Sequence, residues 1–275
     1  MPIKINLLYF LLFLLFPGLV SAATYKIKSY HTGPAGWSLE SGDYTTMHRS
    51  KLLDPTYFGP TGIVNDVQFT INNVADITAE NLADADIFVA MFPYGGANIT
   101  TSQAQALKDF VDRGGSLIVS VDGSTVASGN TLGSLFGSVG FGGGSTGGST
   151  TINNTTIAPE LTNGSFGTVS TLGWSSNATT QIITPGTSTK IDTFGMVSVI
   201  APTASTGSVV FYADTDNFAY GGIHYTGDWQ KLALNLFSYS AHSTHTQAVP
   251  EPFSGVLMLL SLCVFWGLKG IYNVK

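Results

Sequence analysis

The sequence predicts an α/β domain, a doubly wound and mostly parallel sheet, and three features carry that expectation. The run Ile87-Phe88-Val89-Ala90-Met91-Phe92 is continuously apolar, the pattern of a strand buried on both faces. Leu117-Ile118-Val119 with Val121 is a second such run, and between the two, Ala104, Leu107, Phe110 and Val111 fall on one face of a helix. Strand, helix and strand at this spacing make a β-α-β unit, whose right-handed crossover sets the strands parallel. The pattern returns near the end. There Val209-Val210-Phe211-Tyr212-Ala213 is followed by Trp229, Leu232, Ala233, Leu236 and Phe237 at helical spacing behind Asp228 as N-cap.

The other elements follow in chain order. Over residues 24–30, Tyr25 and Ile27 alternate with Lys26 and Lys28, a half-exposed strand read as the first edge strand because lysines discourage edge pairing. Residues 43–53 read as a helix capped by Asp43 and stopped before Pro55. Val67, Phe69 and Ile71 alternate as a second strand. Ser102-Gln103-Ala104-Gln105 has the form of a capping box, opening a helix that ends at Gly114. Residues 137–156 are Gly, Ser, Thr and Asn with few apolar positions, which predicts a flexible surface loop inserted in the domain.

Composition removes several function classes. Of the 275 residues only 10% are charged, against roughly 25% in an ordinary soluble domain, which argues against a cytoplasmic housekeeping enzyme. Setting aside Lys4, Lys269, Lys275 and Glu251 in the apolar ends leaves 8 basic residues against 16 acidic ones. That balance argues against a nucleic-acid partner, because phosphate binding needs clustered Lys and Arg. The single cysteine, Cys263, lies in the C-terminal apolar segment, so residues 23–248 have no thiol for a disulfide, a zinc site or a nucleophile.

Both ends read as addresses. Lys4 precedes the apolar run 7–16, then Pro17-Gly18, then Val20 and Ala22 at the −3 and −1 positions of a cleavage site. This predicts a secretory signal peptide over 1–22 and a mature chain that starts at Ala23. At the other end Val249-Pro250-Glu251-Pro252 is followed by an apolar stretch over 253–268 and a tail with Lys269 and Lys275. As a helix, 253–271 would rise about 28 Å, close to the hydrocarbon thickness, with the lysines holding its end on the cytoplasmic side.

This order of motif, span and basic tail, over residues 249–275, resembles the PEP-CTERM sorting signal. The resemblance implies export, a transient membrane tether through the C-terminal transmembrane helix, and processing by exosortase. It further implies a place at the cell surface or in an extracellular, exopolysaccharide-rich biofilm matrix. Family tails carry an arginine cluster directly after the helix, whereas here two lysines stand six positions apart. A plain membrane anchor that is never cut is the alternative. The expected layout is a signal peptide at 1–22, a domain at 23–241, a linker at 242–248 and the sorting signal at 249–275.

Within the domain, Ala83-Asp84-Ala85-Asp86 leads into a buried strand, Asp109-Phe110-Val111-Asp112-Arg113-Gly114-Gly115-Ser116 links helix to strand, and Tyr212-Ala213-Asp214 ends the late strand. Over about 24–241 the chain thereby resembles the flavodoxin-like domain of the class I glutamine amidotransferase superfamily, ThuA-like members included. In that family a strand equivalent to 117–121 leads into a sharp turn with the nucleophilic cysteine. Here Ser120, Val121, Asp122 and Gly123 stand instead, and no His-x-Glu partner occurs, so glutamine hydrolysis through a thiol is not available.

Open parallel sheets bind ligands beyond the carboxyl ends of their strands, which directs attention to Pro93-Tyr94-Gly95-Gly96, Asp122-Gly123-Ser124 and Asp214-Thr215-Asp216-Asn217. Tyr94, Asp122 and Ser124 are the candidate ligand contacts. Asp122 could serve as a base or bind a sugar hydroxyl or a cation, or simply form the turn that Asp-Gly favours. Asp214 and Asp216 offer oxygens at alternate positions, as calcium loops do, without the distal Glu of the full loop. They make a candidate weak Ca2+ site, with a turn that caps the next segment as the plainer reading. Gly143-Gly144-Ser145-Thr146-Gly147 matches Gly-x-Ser-x-Gly but lacks the strand-to-helix flanks of a nucleophile elbow. His31, His48, His224, His242 and His245 show no metal spacing, and His242 and His245 read as solvated linker residues. Trp37 and Trp174 sit in loop-like sequence and are the candidates for exposed sugar-stacking contacts.

The expectation is therefore an exported surface or matrix protein whose domain binds rather than catalyses. One alternative is an extracellular hydrolase acting on a carbohydrate-related substrate with Asp122 as general base. Another is a calcium-stabilised adhesin centred on Asp214 and Asp216.

Overall fold

The computed structural model describes residues 21–143, 147–174, 180–219 and 226–244. The predicted sorting signal, and the signal peptide apart from its last two residues, lie outside these. Among the described residues no helix is long and apolar enough to cross a membrane.

The first half of the chain alternates strand and helix. β1 (Ala23–His31), α1 (Thr46–Leu52), β2 (Val67–Asn73) and α2 (Ala79–Leu82) lead to β3 (Ile87–Phe92), α3 (Thr101–Asp112), β4 (Ser116–Val121) and α4 (Val126–Leu135). An excursion follows through β5 (Gly140–Gly143), β6 (Gly148–Thr151), α5 (Pro159–Thr162), β7 (Asn163–Gly164), β8 (Gly167–Thr168), β9 (Thr171–Trp174) and β10 (Thr180–Thr184). The chain then returns through β11 (Thr189–Lys190), β12 (Val197–Ile200), β13 (Val209–Tyr212), α6 (Thr215–Ala219) and α7 (Trp229–His242).

Seven strands form the main sheet in the order β11-β12-β13-β4-β3-β1-β2. From β13 to β2 every pairing is parallel, while β12 and β11 add an antiparallel margin. Numbered along the chain, the five parallel strands lie in the spatial order 2-1-3-4-5, which is the flavodoxin-like arrangement. The two faces bury separate apolar layers. Leu82, Leu107, Phe110 and Leu132 from α2, α3 and α4 pack with Phe88, Leu117 and Phe211 on one side. Leu52 from α1 and Leu232, Leu236 and Phe237 from α7 pack with Ile27, Ile118 and Val210 on the other. Helices on both faces explain why β3 and β4 are buried at every position. The doubly wound α/β expectation therefore holds.

Several local expectations need correction. β1 is an interior strand, lying between β2 and β3. Lys26 and Lys28 project from one face of it, where both pair with Asp84, so they cover a face and guard no edge. The first helix begins later than Asp43, with Thr45 as its N-cap. The capping box of α3 is set two residues earlier than expected. Thr100 accepts from the Gln103 N–H while the Gln103 side chain accepts from the Thr100 N–H. Gly114, at φ 101°, stops that helix, and Gly115 lies so close to the Phe110 ring that a Cβ would sit 2.2 Å from it.

The polar stretch at 137–156 is not simply a loop. Its described residues supply β5, paired antiparallel with β10, and β6, paired with β9. Backbone ladders need no apolar side chains, and the stretch still seats Phe141 against Phe211 with ring centroids 5.7 Å apart. His242 belongs to α7 and not to a linker, while His245 lies outside the described residues. Trp37 and Trp174 are buried, at 7% and 5% exposure, so neither offers the exposed contact expected of it. Trp37 packs edge-on to Tyr44 and Trp174 against Phe194.

Candidate functional site

Site geometry follows from one pairing. β4 and β13 are parallel neighbours with Ser120 opposite Tyr212. Two residues further on, each strand ends in an acid, Asp122 on one and Asp214 on the other. Both acids are buried, at 4% and 1% exposure. Asp216, in the first turn of α6, completes the group: one carboxylate oxygen from each of Asp122, Asp214 and Asp216 lies within 4.8 Å of the others. The sequence singled out all three residues, with Asp214 and Asp216 as one candidate calcium site and Asp122 as a separate ligand contact.

The loops that carry these acids are tied to a single acceptor, the Phe92 carbonyl at the end of β3. It takes the Asp122 N–H at 3.0 Å, the Thr125 hydroxyl, and the Thr215 hydroxyl at 3.2 Å. The Asp122 N–H also reaches the Thr125 hydroxyl at 3.1 Å. On the other loop, the Asp216 N–H donates to the Asp214 carboxylate at 2.8 Å, which turns the chain into α6. From beneath, the buried His48 of α1 binds the Phe218 carbonyl of α6 through Nε2 and packs its ring 5.4 Å from the Phe218 ring. Burial pushes the His48 imidazole down to about 4, so it is neutral near pH 7 and Nε2 carries the donated hydrogen. Phe92, Thr125, Thr215 and His48 were not legible as site residues, because each acts through a partner distant in sequence.

Around the acids the loop after β3 forms a rim. Tyr94 is 76% exposed there, the most exposed large apolar side chain among the described residues. The next residue, Gly95, donates its N–H to the Ser124 hydroxyl at 2.9 Å, which links the Tyr94 turn to the Asp122 loop. Tyr94, Ser124 and the three acids thus share the carboxyl edge of the sheet. His31, at the end of β1, turns its Nδ1 to the Gly33 carbonyl at 2.9 Å. Ser145 of the Gly-x-Ser-x-Gly match and His224 lie outside the described residues, and Gly143 before Ser145 belongs to an antiparallel strand of the excursion.

Chemically, this arrangement suits a hard cation. Calcium binds carboxylate oxygens at about 2.3–2.6 Å, so oxygens on opposite sides of one ion stand up to about 5 Å apart. Three carboxylates within 4.8 Å meet that requirement, and a shared cation offsets their mutual repulsion. The paired burial of Asp122 and Asp214 also suits a general base, the second chemistry open to such a pair.

No family model and no curated protein matches the sequence. Among solved structures the chain is similar to one described as the mmIFT52 N-terminal domain, with 13% identity over 78% of this chain and 96% of that one at a TM-score of 0.50. It is similar to a ThuA-like protein from Bacteroides uniformis, with 10% identity over 84% of this chain and 97% of that one at a TM-score of 0.48. A GH42 beta-galactosidase, Gan42B from G. stearothermophilus, shares 12% identity over 78% of this chain but only 29% of its own length, at a TM-score of 0.42. At such identities these likenesses concern the fold alone.

Proposed function

We propose that this is an exported bacterial surface or matrix protein whose flavodoxin-like domain binds a polyhydroxylated ligand, a glycan of the surrounding exopolysaccharide, at the carboxyl edge of its sheet with a calcium ion held by Asp122, Asp214 and Asp216. The observation that carries the reading is the convergence of these three carboxylates from two separate loops. Calcium takes about six to eight oxygen ligands, so three carboxylates leave positions that sugar hydroxyls can fill. Tyr94, exposed beside it, offers an aromatic face to a sugar ring, and Ser124 a hydroxyl.

Topology supports display of this site. The Ala23 N–H donates to the Asp66 carbonyl at 2.8 Å, and His242 at the end of α7 contacts the Asp66 side chain, so both ends of the described fold lie at the amino edge. The acids occupy the opposite edge. A domain tethered through its C-terminal segment, as the PEP-CTERM resemblance implies, would hold the acid edge outward. Exosortase and the membrane belong to this reading as processing partners.

The test is glycan-array binding of the exported chain with millimolar calcium and with chelator, on wild type and Asp122→Asn. Binding that needs calcium and is lost in the variant supports the proposal. Binding indifferent to calcium removes the ion from it. Turnover of a glycan, abolished by Asp122→Asn, would replace it with the extracellular hydrolase in which Asp122 is the general base.

A further inference from the structure

At the amino edge, far from the acids, one side chain joins three remote parts of the chain. His242, the last residue of α7, points Nδ1 at the Glu160 carboxylate of α5 at 2.7 Å and Nε2 at the Asp66 carboxylate, just before β2, at 3.2 Å. Both partners are acceptors only. A neutral imidazole has one N–H and can serve one of them, leaving a lone pair against the other; only the imidazolium donates to both. Glu160 is fixed in turn by the Ser238 hydroxyl at 2.7 Å.

We propose that His242 is a pH-operated clasp that fastens the last turn of α7 to α5 and to the lead-in of β2 when its ring is cationic, and releases that turn when the ring loses its proton. The titratable groups that face the clasp are Asp66 from the β2 lead-in, Glu160 from α5 and Tyr239 from α7, with Tyr25 of β1 beside Asp66. The His242 and Ser238 hydrogen bonds hold the Glu160 carboxyl below its ordinary value while burial holds the Tyr239 and Tyr25 phenols above theirs, so the switch is the imidazole. Its hydrogen bond to Glu160, foremost among the causes, raises the His242 pKa above the ordinary value. The contribution is therefore complete below the unfolded value near 6.5 and is lost as pH rises through the higher folded value. Release loosens the chain just before residue 245 without disturbing the sheet. The consequence is pH-dependent access to that junction for a peptidase, and it does not depend on the cation reading.

The experiment is amide hydrogen exchange on the full chain in non-ionic detergent, followed by mass spectrometry from about pH 5.5 to about pH 8.5 and corrected for intrinsic exchange rates. Protection across 236–244 should fall as pH rises over this range, while the β4 segment 116–121 stays unchanged. His242→Gln should hold the low-protection level at every pH, and Asp66→Asn and Glu160→Gln should each shrink the step. A wild-type profile with no step at 236–244, or the same step in His242→Gln, would overturn the proposal. If His242→Gln fails to fold, the two carboxylate variants decide it: an undiminished step in both overturns the clasp.

Discussion

Asp122 and Asp214 stand side by side at the ends of two neighbouring parallel strands, each two residues beyond the Ser120–Tyr212 pair. This places two buried carboxylates on one edge, and Asp216 joins them through the turn that its own N–H makes with Asp214. If the three hold calcium, the ion stabilises the native state by mass action, by about 2.7 kcal/mol at a hundredfold excess over its dissociation constant. Thermal unfolding with millimolar calcium should rise relative to chelator in wild type. It should not respond in the double variant Asp214→Asn with Asp216→Asn. An unresponsive wild type would remove the ion.

Thr215 separates an effect on placement from an effect on charge. Its hydroxyl donates to the Phe92 carbonyl at 3.2 Å, the acceptor that also takes the Asp122 N–H. Thr215→Val keeps the shape and loses the donor, which costs about 1 kcal/mol and loosens α6 from the end of β3. Calcium affinity should weaken in Thr215→Val and recover in Thr215→Ser, which retains the hydroxyl. Titration calorimetry compares the three. Equal affinity in all of them would show that the acids hold their spacing without this bond.

Much of the frame was legible because strong local patterns coincide with burial. The apolar runs of β3 and β4 and the stripe Ala104, Leu107, Phe110 and Val111 each report burial directly, and every one of these residues is buried. The position of each acid was legible too, as a strand end. Their convergence was not, because it depends on β13 pairing with β4 across about ninety residues of intervening chain, and no local pattern encodes a partner. Trp37 and Trp174 were misplaced for a related reason, since polar neighbours in sequence say nothing about neighbours in space. The capping box of α3 moved because Thr100-x-x-Gln103 and Ser102-x-x-Gln105 both satisfy the motif. The reach of α7 to His242 was hidden because its clearest apolar stripe ends at Phe237, whereas Ser238, Tyr239 and Ala241 are buried by contacts that come from other elements.

Phe110 and Asp112 test the α3 assignment. Phe110 is fully buried and packs edge-on to Phe88 with ring centroids 6.3 Å apart, so Phe110→Ala should cost roughly 3–5 kcal/mol through the cavity it leaves. Asp112 is on the solvent side and pairs with Lys108 one turn earlier. An exposed pair of this kind contributes roughly 0.3–0.5 kcal/mol, so Asp112→Asn should shift chemical unfolding only slightly. Equal losses for the two variants would contradict the helix register.

His48 predicts acid sensitivity. Its folded pKa, near 4, lies below the unfolded value of 6.5, so the unfolded chain binds the extra proton between those values. The contribution is fully present above about pH 6.5 and declines as pH falls toward about 4, by an amount on the order of 3 kcal/mol. His48→Gln, whose amide can still donate to the Phe218 carbonyl, should flatten the stability profile in that window. Unfolding in urea between about pH 4 and about pH 7 measures it, and parallel profiles for wild type and variant would refute the assignment.

Asp192, which the sequence did not single out, should be the most sensitive acid for stability. One of its oxygens accepts from the Phe194, Gly195 and Met196 N–H groups at 3.0, 2.8 and 3.1 Å and from the Thr150 hydroxyl at 3.0 Å, and the other takes the Val197 N–H at 2.9 Å. The carboxylate is therefore the common acceptor in the turn from β11 into β12, and it is buried. An asparagine keeps one oxygen, but its amide then sets a donor against the Val197 N–H, and a buried unsatisfied donor costs about 1–3 kcal/mol. Alanine abandons all five donors and should cost more than about 4 kcal/mol. The damage should also reach the candidate site, because the Met196 carbonyl accepts the Ala213 N–H at 2.8 Å, one residue before Asp214. In Asp192→Asn the loss of stability should accordingly come with a smaller calcium-induced rise in unfolding temperature. A variant that loses stability while keeping the full calcium response would show that β13 holds Asp214 in place without help from this turn.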